Sequence, residues 1–273
     1  MSDIFEKFSL VGRVALVTGG AGLLGKEFCL TLAQAGAEVY AADLNYEAAK
    51  TVADGLVQQG FKARALQVDV TSPESVSAAV ETITRQSGHI DVLVNSAAMD
   101  PKFDPQHAQT SSNAFEDYPL KSWQDAVNVN LTGPFLITQA VARQMVKQGK
   151  GSIINICSTY GLGGPDQRIY EKPGQPKTFK PVYYTVTKAG ILGFTKYLAT
   201  YYANTEIRVN ALTPGGVFAG HDDAFVKNYS ARTVLGRMAH KDEMNGALLY
   251  LASDASSYMT GGNLVVDGGW TAW

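Results

Sequence analysis

Tyr184 and Lys188 stand four residues apart in Tyr184-Thr185-Val186-Thr187-Lys188, and an apolar run ending at Ser158 lies 26 residues before the tyrosine. Four residues is one helical turn, so the phenol and the ammonium share a face. A phenol has an ordinary pKa of about 10 and is a poor acid or base at neutral pH. A fixed cation beside it favours the phenolate and lowers that value. The pair therefore reads as a proton-transfer device, although the same spacing also occurs on solvated helix faces.

A second group of residues reads as a nucleotide site. The apolar run Val14-Ala15-Leu16-Val17 leads into Thr18-Gly19-Gly20-Ala21-Gly22-Leu23-Leu24-Gly25. Glycines let the backbone approach a pyrophosphate, and the following helix offers its N-terminal N–H groups. Asp43 ends the second apolar run, 24 residues after Gly19, where an acid would hold ribose hydroxyls. Asp69 ends the third run, in reach of an adenine amino group, and Asn95 ends the fourth. Singly, either aspartate would serve as a turn or capping residue. Asp43 also selects the cofactor: its carboxylate repels a 2′-phosphate, and no cation follows it in Leu44-Asn45-Tyr46. The expectation is NAD(H) over NADP(H).

These residues need a frame. Short apolar runs predict strands at Val14–Val17, Glu38–Ala42, Ala63–Val68, Asp91–Asn95, Ser152–Cys157, Ile207–Leu212 and Asn263–Val266. Between them, longer patterns predict helices at Leu23–Gln34, Tyr46–Gln59, from Pro73, and at Trp123–Gln148, Val182–Asn204 and Asp242–Ala252. Continuous apolar strands separated by helices mean a parallel sheet covered on both faces. The fold class is α/β: a single doubly wound domain over residues 1–273, with seven parallel strands.

The chain has 273 residues, 45% hydrophobic and 18% charged, with a net charge of -2. The charges are interspersed, which argues against nucleic-acid and membrane partners. No apolar run is long enough to span a bilayer, and Met1 to Leu10 lacks the pattern of a signal peptide. The two cysteines, Cys29 and Cys157, fall in apolar segments, which fits a reducing cytoplasm. The histidines (His89, His107, His221, His240) are scattered, so no metal site is expected.

Taken in order, the motifs resemble the short-chain dehydrogenase/reductase family in its single-domain Rossmann form, from about Leu10 to Gly269. Besides the glycine turn they are Asp69-Val70, Asn95-Ser96-Ala97-Ala98, Val129-Asn130-Leu131, Ile153 to Ser158, Tyr184 to Lys188, Arg208 to Gly215 and Val266 to Gly269. The resemblance implies a catalytic set of Asn130, Ser158, Tyr184 and Lys188. Tyr184 would exchange the proton. Ser158 would hold the carbonyl or hydroxyl. Lys188 would lower the tyrosine pKa and hold the nicotinamide ribose, and Asn130 would support a water path to Lys188. Tyr183 is the wrong tyrosine, because its fourth neighbour is Thr187. The implied cofactor contacts are Gly19, Gly22, Leu24, Gly25, Asp43, Leu44, Asp69, Val70, Asn95, Ala97, Tyr184, Lys188, Pro214, Gly215 and Val217. Asn210, Arg237 and Asp267 look structural.

Three departures stand out. Leu23 occupies a usual glycine position, giving a spacing similar to that of the sugar-nucleotide epimerase branch. That branch carries a substrate domain after the sheet, and this chain ends four residues past Gly269. Asn95-Ser96-Ala97-Ala98 replaces Asn-Asn-Ala-Gly. The gap from Ser158 to Tyr184 is about twice the family's usual one.

That gap holds one of two long connections, Ala97–Lys121 and Thr159–Pro181, which read as substrate lids. The second carries Asp166, Arg168, Tyr170, Glu171, Lys172, Lys177 and Lys180, an excess of two positive charges. The first carries Asp100, Lys102, Asp104 and His107. Arg168 could clamp an anionic or hydroxylated substrate bidentately, with Tyr170, Ser158 and Tyr184 beside it. A polar lid points to sugars, aldonates, polyols or their phosphates. Tyr160 to Tyr170 also resembles, more loosely, oxidoreductases of bacterial surface-sugar and flagellin-glycan pathways. The expected activity is NAD-dependent interconversion of a secondary alcohol and a ketone. The alternatives are a redox-neutral epimerase or dehydratase using bound NAD, and a non-catalytic NAD-sensing protein. The family resemblance implies a homotetramer or homodimer packed through the two long helices, where Tyr197, Tyr201 and Tyr202 crowd the second and Trp270 and Trp273 end the tail.

Overall fold

Strand β1 (Val14–Thr18) is buried along its whole length, and alternate residues serve opposite faces of one sheet. Ala15 and Val17 join a core with Phe28, Cys29 and Leu32, while Val14 and Leu16 join another with Ile83, Val141 and Met145. A strand apolar at every position is what a sheet covered on both sides requires. The computed structural model describes residues 3–100, 113–171, 174 and 177–273. Lys102, Asp104, His107 and Lys172 lie outside them.

The other strands are β2 (Glu38–Asp43), β3 (Ala63–Gln67), β4 (Val92–Asn95), β5 (Lys150–Ile156), β6 (Glu206–Pro214) and β7 (Asn263–Val266). All pair parallel, in the order β3-β2-β1-β4-β5-β6-β7. The chain winds one way from β1 to β3 and the other way from β4, which opens a crevice between the carboxyl ends of β1 and β4. Thr18 ties this crevice shut below: its hydroxyl donates to the Val94 carbonyl and accepts from the Ser96 and Ala97 N–H groups.

Helices α1 (Leu23–Gln34) and α8 (Asn245–Ala252) cover the first face, and α3 (Pro73–Ser87), α5 (Gly133–Gln148) and α6 (Val182–Tyr201) cover the second; α2 (Tyr46–Gln58) packs on β2 and β3. Ser72 caps α3 by accepting from the Ser75 N–H, with Pro73 in the first turn. No helix of the described residues is long and apolar enough to cross a membrane.

Two differences from the expected elements matter. The helix expected over Trp123–Gln148 starts earlier, as α4 (Leu120–Val127), and passes through a π-helical turn at Asn128–Thr132 before α5. Pro134 has no N–H to return to the Asn130 carbonyl, and the Gly133 N–H bonds Asn128 instead, which widens the turn. An unforeseen helix, α7 (Asp223–Ser230), is capped by Asp222, whose carboxylate accepts from the Phe225 N–H. It is short and mostly polar, but Phe225, Val226 and Tyr229 share the face that packs inward. The expected helix at Asp242 begins as a 3-10 turn over Lys241–Met244. Tyr197 and Tyr201 are exposed and stacked on α6, whereas Trp270 is buried.

Candidate active site

At the end of β1, Gly19 takes a φ of +64°, and a Cβ there would lie 2.7 Å from the Ala97 Cα. A Cβ on Gly25 would collide with the Gly19 carbonyl oxygen. The turn therefore closes only with glycine at both places. The Gly22 N–H donates to Gly19, and no side chain caps α1. Its first N–H groups face the crevice mouth, the usual seat of a phosphate. The half-buried Asp43 carboxylate accepts from the Ala21 N–H at 3.2 Å and the Asn45 N–H at 3.1 Å. It braces the glycine turn as well as standing where a ribose would lie. Asp69 likewise uses Oδ1 on its own turn, accepting from the Thr71 N–H and hydroxyl. Both aspartates are thus turn residues at the carboxyl ends of their strands.

The remaining cofactor contacts divide. Leu24 is half-buried under the turn, Leu44 is exposed beyond Asp43, and Val70 is buried against Gly133. Gly215 donates to the Val266 carbonyl, and a Cβ there would lie 2.7 Å from the Asp267 Cα. Val217 bridges to Ala239, behind Pro214 at the end of β6. Asn95 differs from expectation: its amide donates to Thr138 and Asn155, both at 2.8 Å, inside the core. The side chain joins β4 to β5 and α5 rather than facing a ligand. The cradle as a whole fits a dinucleotide.

Ser158 lies just past β5; its hydroxyl accepts from the Tyr160 N–H at 3.2 Å, and the Tyr184 side chain is its neighbour. Lys188, one turn along α6 and 6% exposed, donates to the Ile156 carbonyl at 2.9 Å. Its Nζ lies 5.8 Å from the Tyr184 ring centroid. Burial lowers the Lys188 pKa. Burial, and after it Asp100, raise the Tyr184 pKa, while the Ser158 hydroxyl pulls it down. The expected lowering by Lys188 is not among these influences, and burial decides the direction. Tyr183 points into the core against Tyr118, as expected of the wrong tyrosine.

Asn130, 2% exposed in the π-helical turn, clasps Met99 from both sides. Its Oδ1 accepts from the Met99 N–H at 2.6 Å, and its Nδ2 donates to the Met99 carbonyl at 3.1 Å. Nδ2 also reaches the Thr187 hydroxyl at 3.4 Å, next to Lys188. The structure therefore brings Asn130, Ser158, Tyr184 and Lys188 together. Asn130 works there by pinning the segment after β4.

The wall beside Tyr184 is the feature that sequence reading missed. Tyr160 meets Tyr184 edge-on at 6.3 Å and Trp270 edge-on at 6.3 Å. Trp270 stacks on Tyr229 at 4.3 Å, and Tyr170 packs on Phe225 at 5.6 Å. The Tyr170 hydroxyl donates to the Tyr160 hydroxyl at 3.1 Å. Tyr170 thus lies at the site, as expected, but as part of a wall. Arg168 does not. It is 78% exposed, and its fork is taken by Asp166 through bonds of 2.8 and 2.7 Å. Asp166 also accepts from Arg232 at 2.6 Å, and the Arg168 hydrogen bonds hold its carboxyl well below the usual range. Arg168→Ala is expected to change kcat/KM by less than about 5-fold, the limit for an exposed ion pair. A larger loss in steady-state kinetics would restore it as a substrate clamp.

The wall also sets alkaline stability. Burial first of all raises Tyr170, Tyr184 and Tyr229, and pushes Tyr160 up to about 12. Unfolded, each phenol ionises near its ordinary value of about 10. Between the unfolded and folded values the unfolded chain binds fewer protons, so stability falls as pH rises. Urea midpoints are expected to hold near neutrality and drop steeply above about pH 10. A Tyr160→Phe variant should show a shallower drop.

A family model described as enoyl-(acyl carrier protein) reductase matches residues 20–271. A 3-alpha-(or 20-beta)-hydroxysteroid dehydrogenase of Mycobacterium tuberculosis is 39% identical over 263 residues, covering 96% of this chain and 91% of that protein. A gluconate 5-dehydrogenase of Gluconobacter oxydans is 34% identical, covering 97% of each. The crystal structure of a gluconate 5-dehydrogenase from Burkholderia cenocepacia, in complex with NADP and tartrate, superposes with a TM-score of 0.87 at 32% identity, covering 99% of this chain and 100% of that one.

Proposed function

Because this chain belongs to the short-chain dehydrogenase/reductase family, we propose that it is an NAD(H)-dependent oxidoreductase that interconverts a secondary alcohol and a ketone on a polar, sugar-like substrate. One observation carries the chemistry. The Ser158 and Tyr184 side chains are neighbours at the carboxyl edge of the sheet, on the side of the glycine turn, with Lys188 one turn along α6. An alcohol placed there would give its proton to the Tyr184 oxygen, and in the reverse direction Tyr184 would return it to the carbonyl oxygen. Ser158 orients that oxygen. When bound, the nicotinamide supplies the hydride acceptor or donor.

The choice of NAD(H) is supported by Asp43, half-buried at the end of β2 with no cation in the three residues after it. The Burkholderia relative was solved with NADP, so the cofactor is the first thing to measure. The polar substrate is supported by the enclosed Asp100–Lys180 ion pair near Tyr184, and by aromatic faces that suit the C–H surface of a sugar. Assembly as a homodimer or homotetramer belongs to the same reading, supported by the exposed Tyr197–Tyr201 stack.

The test is a panel of gluconate, threitol, cyclopentanol and a hydroxysteroid, each with NAD+ and NADP+. Stoichiometric NADH is expected with the aldonate or polyol, faster than with NADP+. Turnover of the steroid alone would overturn the substrate class, and preference for NADP+ the cofactor. Product formation without net NADH would point to redox-neutral use.

A further inference from the structure

Two charged residues meet over Tyr184 from opposite insertions. Asp100 leaves β4, and Lys180 closes the segment before α6. Their ion pair is 2.9 Å long, with side chains only 14% and 8% exposed. A pair this enclosed is neither mobile nor fully screened. The Lys180 Nζ also lies 3.9 Å from the centroid of the Tyr184 ring, nearer than the 5.8 Å of Lys188. Among the described residues, the cation nearer to the ring is therefore supplied by the insertion and not by the helical turn that carries Lys188.

We propose that Asp100 and Lys180 form a positioning pair for Tyr184, in which Lys180 holds the ring by its face and favours the phenolate, Asp100 opposes it, and their balance sets the pH at which Tyr184 exchanges its proton. A cation over an aromatic face is attracted to it, more strongly once the ring carries negative charge. The electrostatics agree for Asp100, which is, after burial, the leading influence raising Tyr184, while the part of Lys180 rests on its place over the ring. The pair reaches Lys188 too, where burial lowers the pKa first, Asp100 raises it and Lys180 lowers it.

Few other groups face the phenol among the described residues. Cys157 and Ser158 come from the end of β5, Tyr160 and Tyr170 from the second insertion, and Lys188 from α6. Of all these, the carboxylate and the ammonium groups are those of Asp100, Lys180 and Lys188. Removing one member of the pair should therefore move Tyr184 in a direction fixed by the sign of the charge removed.

The inference rests on the oxidoreductase reading for the source of the proton, but its test needs no substrate. Tyrosinate absorbance is titrated with NAD+ present in wild type, Lys180→Met, Asp100→Asn and the double variant. Each is blanked against the same chain carrying Tyr184→Phe, and circular dichroism checks the fold. Lys180→Met keeps the apolar stem, and Asp100→Asn keeps the shape. The Tyr184 step is expected to move up by about one pH unit in Lys180→Met and down by about one in Asp100→Asn. In the double variant it should return close to wild type. Coincident steps, shifts in the same direction, or no Tyr184 step in any of the four would overturn the proposal. If no alcohol is oxidised yet the opposed shifts appear, the pair stands and the proposed function falls. If an alcohol is oxidised and its pH limb is unmoved in both single variants, the function stands and the pair falls.

Discussion

Tyr184→Phe is expected to lower kcat for alcohol oxidation by about 10²- to 10⁴-fold, the range for a lost general acid or base. The substitution deletes one oxygen. In the proposed mechanism that oxygen accepts the proton, beside the Ser158 side chain. The ring remains, so its edge contact with Tyr160 and the Lys180 contact on its face survive. The fold should persist, and NAD+ affinity measured by calorimetry should change little, because most of the cradle comes from the ends of β1 to β4 and β6. The loss should fall on kcat more than on KM, as it does when an interaction of the transition state is removed. Tyr183→Phe is the control. Tyr183 is buried against Tyr118, away from the Lys188 side of the turn in sequence, so that variant should keep activity within a few-fold. Full activity in Tyr184→Phe would falsify the mechanism.

How much of this could be read from residues alone depends on how local each signal is. β1 and β4 are apolar at nearly every position, a pattern that only a doubly covered sheet uses, so the architecture was legible. Gly19, Gly25, Asp43 and Tyr184 sit at fixed offsets from strand or helix ends, and the structure places them where those offsets imply. The π-helical turn was not legible, because Pro134 in a helical pattern ordinarily predicts an end or a kink. The aromatic wall was hidden for a different reason. Tyr160 and Tyr170 come from the second insertion, Tyr229 from α7 and Trp270 from the tail, and they meet only through the fold. The Asp100–Lys180 pair spans 80 residues of sequence. Arg168 misled because its partner, Asp166, is two residues away and satisfies the same fork that a substrate would need.

Asp43→Asn is expected to raise the NADP+ to NAD+ ratio of kcat/KM by about 30- to 1,000-fold. A 2′-phosphate carries roughly two negative charges, and repulsion from a half-buried carboxylate a few ångströms away is on the order of 2–4 kcal/mol. The asparagine keeps the shape and removes the charge. The structure adds a consequence that the charge argument alone omits. Asp43 accepts from the Ala21 and Asn45 N–H groups, and an amide can accept through only one of its two heads. One of those turns must therefore loosen, and absolute NAD+ activity should fall even as the ratio climbs. Asp43→Ala loses both acceptors and should weaken both cofactors more. Asp43→Arg adds a cation for the phosphate and should carry the ratio furthest, at the greatest cost to the glycine turn. The ratio isolates the charge, because turn loosening affects both cofactors alike. A ratio unmoved in Asp43→Asn and Asp43→Arg would mean that the ribose lies elsewhere and that Asp43 serves the turn alone.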